Sequence, residues 1–381
     1  MKYAILGSGM MGYALAFDLA RSRGVTGITL VDADADSLDA AIRRLHSPLL
    51  TTVRMDLDSP ADLGAVLAGH ACVISAVPYR YNAALTDIAI NAGVHFCDLG
   101  GNDAIVAKQF RMHQRAIDQN VLVLPNCGLA PGLANILAAR GVELFESADE
   151  VYMRVGGLPQ HPKPPLNYQL VFSVEGLLNE YSGKAKVLRQ GEIAEADAMS
   201  EIEAIDFPAP FGTLEAFHTS GGSSRLTELL RGKVRELDYK TIRYQGHCER
   251  MKTLLDLGFS SNEPIQVGHG LMTAREVFME LLKKRLEGTD PDVTILRVDI
   301  KGVKDGKSQR LRFEFIDFYD KIDQIPSMGR TTAFPTSAIA QLVAAGEIAE
   351  RGVHTPEECI PLEPLLAELK SRQIPILMHW N

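Results

Sequence analysis

The sequence has no apolar run near the roughly 18 residues that a membrane helix requires. It has no CxxC pair either. Its five cysteines, Cys72, Cys97, Cys127, Cys248 and Cys359, are odd in number and scattered, which argues against disulfides or zinc ligation and for reduced thiols in a cytoplasmic protein. A basic excess is also missing, and the net charge of −9 offers no footprint for nucleic acid. No basic and then apolar leader precedes the first strand, and no internal repeat or low-complexity segment is visible. A cytoplasmic protein without metal, membrane or nucleic-acid partners is therefore expected. What is present is an ordinary globular composition, 46% hydrophobic and 23% charged. At 381 residues the chain is too long for one simple core and points to two domains.

The first thing the chain does have is a strand, Lys2 to Leu6, running straight into Gly7-Ser8-Gly9-Met10-Met11-Gly12. Helical apolar spacing follows over Ala14 to Ala20, and a second apolar strand, Ile28 to Val31, ends on Asp32. A lone GxGxxG carries little information, but strand, helix and a following acid together describe a dinucleotide cradle. Gly7 permits the turn, Gly9 lets the backbone approach a pyrophosphate, and Gly12 lets the helix pack on the strand. The helix N-terminus offers N–H groups to phosphate oxygens. Asp32 suits the two ribose hydroxyls, and with Asp34 beside it a 2′-phosphate would meet like charge, so NAD is favoured over NADP.

Strand-like and helix-like segments alternate through Val121–Leu124, with one long helix expected over Asp103–Asn120. That rhythm predicts an α/β Rossmann-type, doubly wound parallel sheet that binds its ligand at the carboxyl ends of the strands. Those ends hold Gly7 to Gly12, Asp32, Asp56, Ala76-Val77-Pro78-Tyr79, Asp98 with Gly100, and Asn126 to Gly128. After Leu144 the pattern becomes α+β, with a mixed or antiparallel sheet and a hairpin turn at Asp305-Gly306. The expected division is 1–130 for the nucleotide domain, 131–325 for a substrate and dimerisation domain, and 326–381 for a segment returning to the first. A homodimer or higher homo-oligomer is expected from exposed sheet edges in the second domain.

Candidate chemistry falls in five places. Tyr79 either faces the cofactor or packs, and Asp98 either serves as a proton acceptor or holds a turn. Cys127 has no histidine near it in sequence and is read as structural. Two polar segments, Glu215 to Arg225 and Tyr239 to His247, each combine a cation, a histidine and a glycine. An amino-acid carboxylate calls for a cation, which Arg243, Arg225 or Lys240 could supply, and Arg243 is preferred over Lys240 for its bidentate fork. Strand alternation puts Lys240 and Arg243 on opposite faces, so only one can serve. The proton acceptor is sought in the order His218, Asp98, His247.

These segments together resemble the saccharopine dehydrogenase family, and within it the lysine 6-dehydrogenase branch, over nearly the whole chain. GSGMMG, VISAVPYRYN, FCDLGGND, NCGLAPGLANIL, GGLPQHPKPPLNYQLVFSVEGLLNEY, LEAFHTSGG and YKTIRYQGH carry the resemblance. Saccharopine-forming reductases usually have LDPG and a cysteine before GGLP, where this chain has Ala130 and Val155. The resemblance implies NAD-dependent oxidative deamination at the ε-carbon of L-lysine, giving allysine, its cyclised form, ammonia and NADH. Alternatives are a saccharopine or other opine-type imine reductase, and a non-catalytic NAD-binding protein. A sugar dehydrogenase with the same start would carry Glu-Lys-Pro at a strand end, which is absent here.

Overall fold

The computed structural model describes residues 1–268, 270–288 and 290–381. The chain divides into two compact units. The first is Met1–Phe145 with Ser224–Leu229 and Gly329–Leu377; the second is Glu146–Ser223 with Leu230–Met328 and Met378–Asn381. Unit boundaries thus differ from a simple cut at 130 and 325. Residues 131–145 belong to the first unit, and a short insert from the middle of the chain joins them.

The first unit opens with β1 (Lys2–Leu6), α1 (Met10–Arg21), β2 (Gly27–Asp32), α2 (Ala35–Leu45), β3 (Leu50–Arg54), α3 (Leu63–Leu67) and β4 (Cys72–Ser75). It continues with α4 (Asn82–Asn91), β5 (His95–Asp98), α5 (Asp103–Phe110), α6 (His113–Asp118), β6 (Leu122–Leu124) and α7 (Leu133–Val142). The single helix expected over 103–120 is two, broken at Arg111-Met112. Apart from the exposed Lys2 that opens β1 and the Ser75 that ends β4, the central strands are apolar and buried, as a sheet covered on both faces demands.

The second unit holds β7 (Ser147–Pro159), α8 (Val174–Glu180), β8 (Lys184–Arg189), β9 (Glu192–Asp197), β10 (Glu203–Phe207) and β11 (Gly212–His218). After α9 (Leu226–Leu230) come β12 (Glu236–Arg243), α10 (His247–Leu254), β13 (Pro264–Val267), β14 (Gly270–Thr273), α11 (Ala274–Leu286), β15 (Asp292–Lys304) and β16 (Lys307–Phe318). The chain ends with α12 (Ser327–Ala344), β17 (Gly352–Val353), α13 (Pro356–Cys359), α14 (Leu362–Ser371) and β18 (Leu377–Trp380).

The first unit's seven-stranded sheet has the order β17-β6-β5-β4-β1-β2-β3, with parallel pairing throughout. This is the doubly wound order, extended by a late strand. The second unit's sheet is nine-stranded and mixed. Along β10-β11-β12-β7-β15-β16 only β12 and β7 run parallel. Asp305 and Gly306 close the β15–β16 hairpin with φ of 52° and 70°, the pair of positive values that a two-residue primed turn requires. No helix among the described residues is long and apolar enough to cross a membrane.

Candidate active site

In the first unit the Gly-rich turn is built by close approach. A Cβ on Gly12 would lie 1.8 Å from the Gly7 carbonyl oxygen, and one on Gly7 would meet the Ala76 oxygen and Val77 Cγ1 at 2.9 Å. Around Gly9, by contrast, the space is open. The first intrahelical bond of α1 is Tyr13 N–H to Gly9 O, 2.9 Å, so the N–H groups of Met10, Met11 and Gly12 have no partner within the helix. Open space beside free N–H groups fits a pyrophosphate. Asp32 stands next to this turn. Its Oδ2 accepts from Ser8 N (2.6 Å) and Ser8 Oγ (2.8 Å), and its Oδ1 from Asp34 N (3.0 Å). Burial raises its pKa, but the N–H groups of Asp34 and Ser8 outweigh that and hold it below the ordinary carboxylate range.

The other residues of this edge divide. Ala76 and Val77 pack against Gly7, and Pro78 leads into a turn holding Tyr79, whose ring lies against Gly101. Asp56 is exposed and accepts from Asp58 N at 2.9 Å, closing its own turn. Asp98 is fully buried among donors: Gly100 N (2.8 Å) and Asn126 N (3.0 Å) on Oδ1, Gln109 Nε2 (2.7 Å) on Oδ2. Burial pushes its pKa up to about 6 against those donors. The three donors describe a pin for the loops after β5 and β6 and leave no accessible oxygen for a substrate proton. A Cβ on Gly100 would strike Asn126 Oδ1 at 2.3 Å, so Gly100 serves this packing. Arg225 belongs to the first unit, with its guanidinium 4.3 Å over the Phe110 ring, whereas Arg243 belongs to the second. Cys127 is buried and donates to Leu124 O at 3.3 Å.

In the second unit the β11–β12 register sorts the polar residues. His218 lies opposite Lys240, and Glu215 opposite Arg243. Directly paired residues share a face, so His218 stands with Lys240 on one side of the sheet and Arg243 on the other. On the Lys240 side every cation meets a carboxylate. Lys240 Nζ reaches Glu203 (3.0 Å), Arg154 bridges Glu203 and Asp238 (2.6 Å to the latter), and Arg189 reaches Glu201 (3.1 Å). His218 belongs to this network, with Nδ1 on the Tyr239 carbonyl (3.2 Å) and Nε2 on Glu201 (3.1 Å). Both ring nitrogens are engaged and the ring is wholly buried. The first choice for proton acceptor is therefore a structural histidine on the wrong face for Arg243.

The Arg243 side is different. Arg243 Nε donates to the Tyr181 hydroxyl at 2.9 Å, Nη1 donates to Ile242 O at 2.9 Å, and Nη2 has no acceptor among the described residues. The guanidinium lies 4.7 Å over the Tyr168 ring. His247 Nδ1 sits 2.9 Å from the Leu166 carbonyl and must carry the proton there, which leaves Nε2 to accept from Tyr181 O–H at 2.9 Å. The chain of donors runs Arg243 to Tyr181 to His247 to Leu166, with a neutral imidazole. Burial, then Arg243, push the His247 pKa down to about 3, in keeping with that direction. His247 thus orients Tyr181 and is in no state to take a proton from substrate.

One residue of this side went unnoticed in the sequence. Glu180, the last residue of α8, is half-buried; the Ser220 hydrogen bonds at this position go to its main-chain carbonyl, and its carboxylate accepts none among the described residues. Burial pushes its pKa up to about 7, against the lowering effect of Arg243. Tyr168 adds a buried hydroxyl without a hydrogen-bond partner among the described residues. A cation with an open N–H edge, an unbonded carboxyl group and a spare phenol are the groups that an amino acid's carboxylate and amine would engage.

Residues 3–124 match the family model described as saccharopine dehydrogenase NADP binding domain, and residues 128–374 match the saccharopine dehydrogenase C-terminal domain. The chain is 24% identical over 263 residues to a saccharopine dehydrogenase (NADP(+), L-glutamate-forming) of Schizosaccharomyces pombe, covering 67% of this chain and 57% of the relative. It spans little more than half the length of such relatives. Among solved structures, apo saccharopine dehydrogenase (L-Glu forming) from Saccharomyces cerevisiae superposes with a TM-score of 0.80 at 18% identity, covering 100% of this chain and 99% of that one. The homospermidine synthase of Legionella pneumophila in complex with NAD gives 0.67 at 11% identity, covering 100% and 91%. At such identities these two structures establish a shared fold.

Proposed function

We propose, because the chain belongs to the saccharopine dehydrogenase family, that it is an oxidoreductase that couples a nicotinamide dinucleotide to the C–N bond of lysine or a lysine-derived amine. The specific reaction proposed is oxidative deamination of L-lysine at the ε-carbon, with NAD as the dinucleotide. The observation that carries this is the Arg243–Tyr181–His247 relay beside the unbonded Glu180. Arg243 holds the α-carboxylate through its open edge, with Tyr181 and the tautomer of His247 fixing the guanidinium plane. Glu180 takes a proton from the substrate ammonium, freeing the lone pair that must assist departure of hydride from the adjacent carbon. When bound, the nicotinamide supplies the acceptor for that hydride. Near neutral pH a carboxyl group at about 7 is partly ionised, which suits it to both uptake and return of the proton.

NAD is supported by the Asp32 carboxylate, ionised and aligned beside the Gly-rich turn, where a 2′-phosphate would add like charge. A saccharopine substrate with NADP is the second reading, favoured by the names of the matched relatives and by Arg54, exposed at the end of β3 in register with Asp32. Reduced-dinucleotide absorbance, followed for the four combinations of NAD or NADP with lysine or saccharopine, separates the two. Turnover of lysine with NAD is expected, and Asp32→Ala should shift the preference toward NADP. Turnover of saccharopine alone would install the second reading. Dinucleotide binding with no turnover of any amine would leave a binding protein.

A further inference from the structure

The polar segment Glu215 to Arg225 gives its histidine to the Lys240 side of the sheet and its arginine to the first unit. Between them lie two hydroxyl residues, Thr219 and Ser220, and these serve the Arg243 side. Ser220 grips the end of α8. Its N–H donates to the Glu180 carbonyl at 2.8 Å and its hydroxyl to the Asn179 carbonyl at 2.9 Å. These are two of the four C-terminal carbonyls that a helix leaves without intrahelical partners. A helix of seven residues does not hold its own end, so this grip sets the course of its last turn. Thr219, one residue earlier, is buried, and its hydroxyl lies 2.7 Å from that of Thr241 on β12. Thr241 shares a face with Arg243, two residues on. It gives its own proton to the Tyr239 hydroxyl (3.4 Å), so Thr219 is the donor of the pair. The loop is pinned beyond as well. A Cβ on Gly222 would lie 2.2 Å from Tyr239 Cδ1, and Ser223 Oγ donates to Lys186 O at 3.0 Å.

We infer that Thr219 and Ser220 are positioning residues for the Glu180 carboxyl group, Thr219 tying the loop to the strand that carries Arg243 and Ser220 tying the end of α8 to that loop. The inference rests on the reading of Glu180 as the proton acceptor. The two neighbours at the end of α8 are held differently. Tyr181 is fixed through its own side chain, bonded to Arg243 and to His247 at 2.9 Å each. The Glu180 carboxylate accepts no hydrogen bond among the described residues, so its place follows that of the main chain, which Ser220 holds. A continuous route therefore runs from Arg243 along β12 to Thr241, across to Thr219, and through Ser220 to Glu180. Breaking it leaves Arg243 and Tyr181 bonded and lets Glu180 drift. Proton transfer needs the acceptor within hydrogen-bond reach, and a misplacement of about 1 Å can cost about 100-fold in rate. Carboxylate binding by Arg243 does not depend on the grip.

Steady-state kinetics of the full chain with lysine and NAD test this. Ser220→Ala keeps the main-chain bond to Glu180 and should lower kcat by about 10–100-fold, while KM for lysine and for NAD stay as they are. Ser220→Thr, which keeps the hydroxyl, should restore kcat. Thr219→Val, which keeps the shape and loses the donor, should lower kcat by less. In a Glu180→Gln background neither Ser220→Ala nor Thr219→Val should lower kcat further, since the group being positioned is gone. Unchanged kcat in Ser220→Ala beside a crippled Glu180→Gln overturns the inference and leaves the acceptor assignment standing. So does a fall in kcat that persists in the Glu180→Gln background, or one matched by a rise in KM for lysine, because a purely structural loss gives either. Full turnover by Glu180→Gln, or no turnover of lysine by the unmodified chain, removes the acceptor assignment itself and this inference with it.

Discussion

The two sides of β12 both hold charged groups and use them in opposite ways. Behind Lys240, the guanidinium of Arg154 and the ammonium of Lys240 share Glu203, whose pKa burial raises but these two cations pull below normal. Behind Arg243, the guanidinium meets phenols, and the nearby carboxyl group of Glu180 is unbonded and weakly acidic. Paired charges at short range are satisfied and inert, since moving either proton costs the pair its attraction. Unpaired polar groups kept partly from water are costly to maintain, and proteins place them where a ligand completes them. The contrast is what supports the proposal of a structural role for one side and a chemical one for the other.

The strongest way to break that contrast is Glu180→Gln, which should lower kcat/KM by about 10²–10⁴-fold, the usual range for a lost general base. Dinucleotide binding should persist. In the unmodified protein kcat/KM should rise with pH through about 7, because Glu180 acts when ionised, and this limb should vanish in the variant. Flat wild-type behaviour through that range would remove Glu180 from the reaction. Next in size, Arg243→Ala should raise KM for the amino acid by about 10–100-fold, the worth of a charged hydrogen bond, leaving KM for the dinucleotide unchanged. A change confined to the dinucleotide would misplace the carboxylate site. The smallest effect on turnover is expected from His218→Asn. Losing contacts to Tyr239 O and Glu201 should cost about 1–3 kcal/mol of stability in denaturant titration, with kcat/KM unaltered. A large fall in kcat without loss of stability would reverse the assignment of the two sides.

What could be read in advance follows from how local each constraint is. The Gly7–Gly12 turn, Asp32 and the Asp305-Gly306 hairpin obey rules spanning a few residues, and the parallel, doubly wound sheet follows from alternation of strand and helix, though its late edge strand β17 does not. Lys240 and Arg243 were separable for the same reason, being three apart in one strand. His218 was not, because its side of the sheet depends on how β11 meets β12, and neither strand announces that register. The surroundings of Arg225 were equally hidden: Phe110, more than 100 residues earlier, lies beneath its guanidinium. Glu180 closes a short helix, where a glutamate normally marks a solvated surface. Burial in the fold gives it a weakly acidic carboxyl group, against the lowering effect of Arg243. The sole signal in the chain was its place next to Tyr181 in the resemblance-bearing LLNEY.

The path of the backbone between the units has a consequence of its own. The polypeptide passes from one to the other at 145–146, 223–224, 229–230, 328–329 and 377–378. Neither unit therefore corresponds to an uninterrupted stretch of coding sequence. A single crossover between two such genes cannot exchange one half intact, and a polypeptide cut short at any one junction leaves at least one half missing pieces. Replacing one unit whole would require exchanges at all five passages instead of at one.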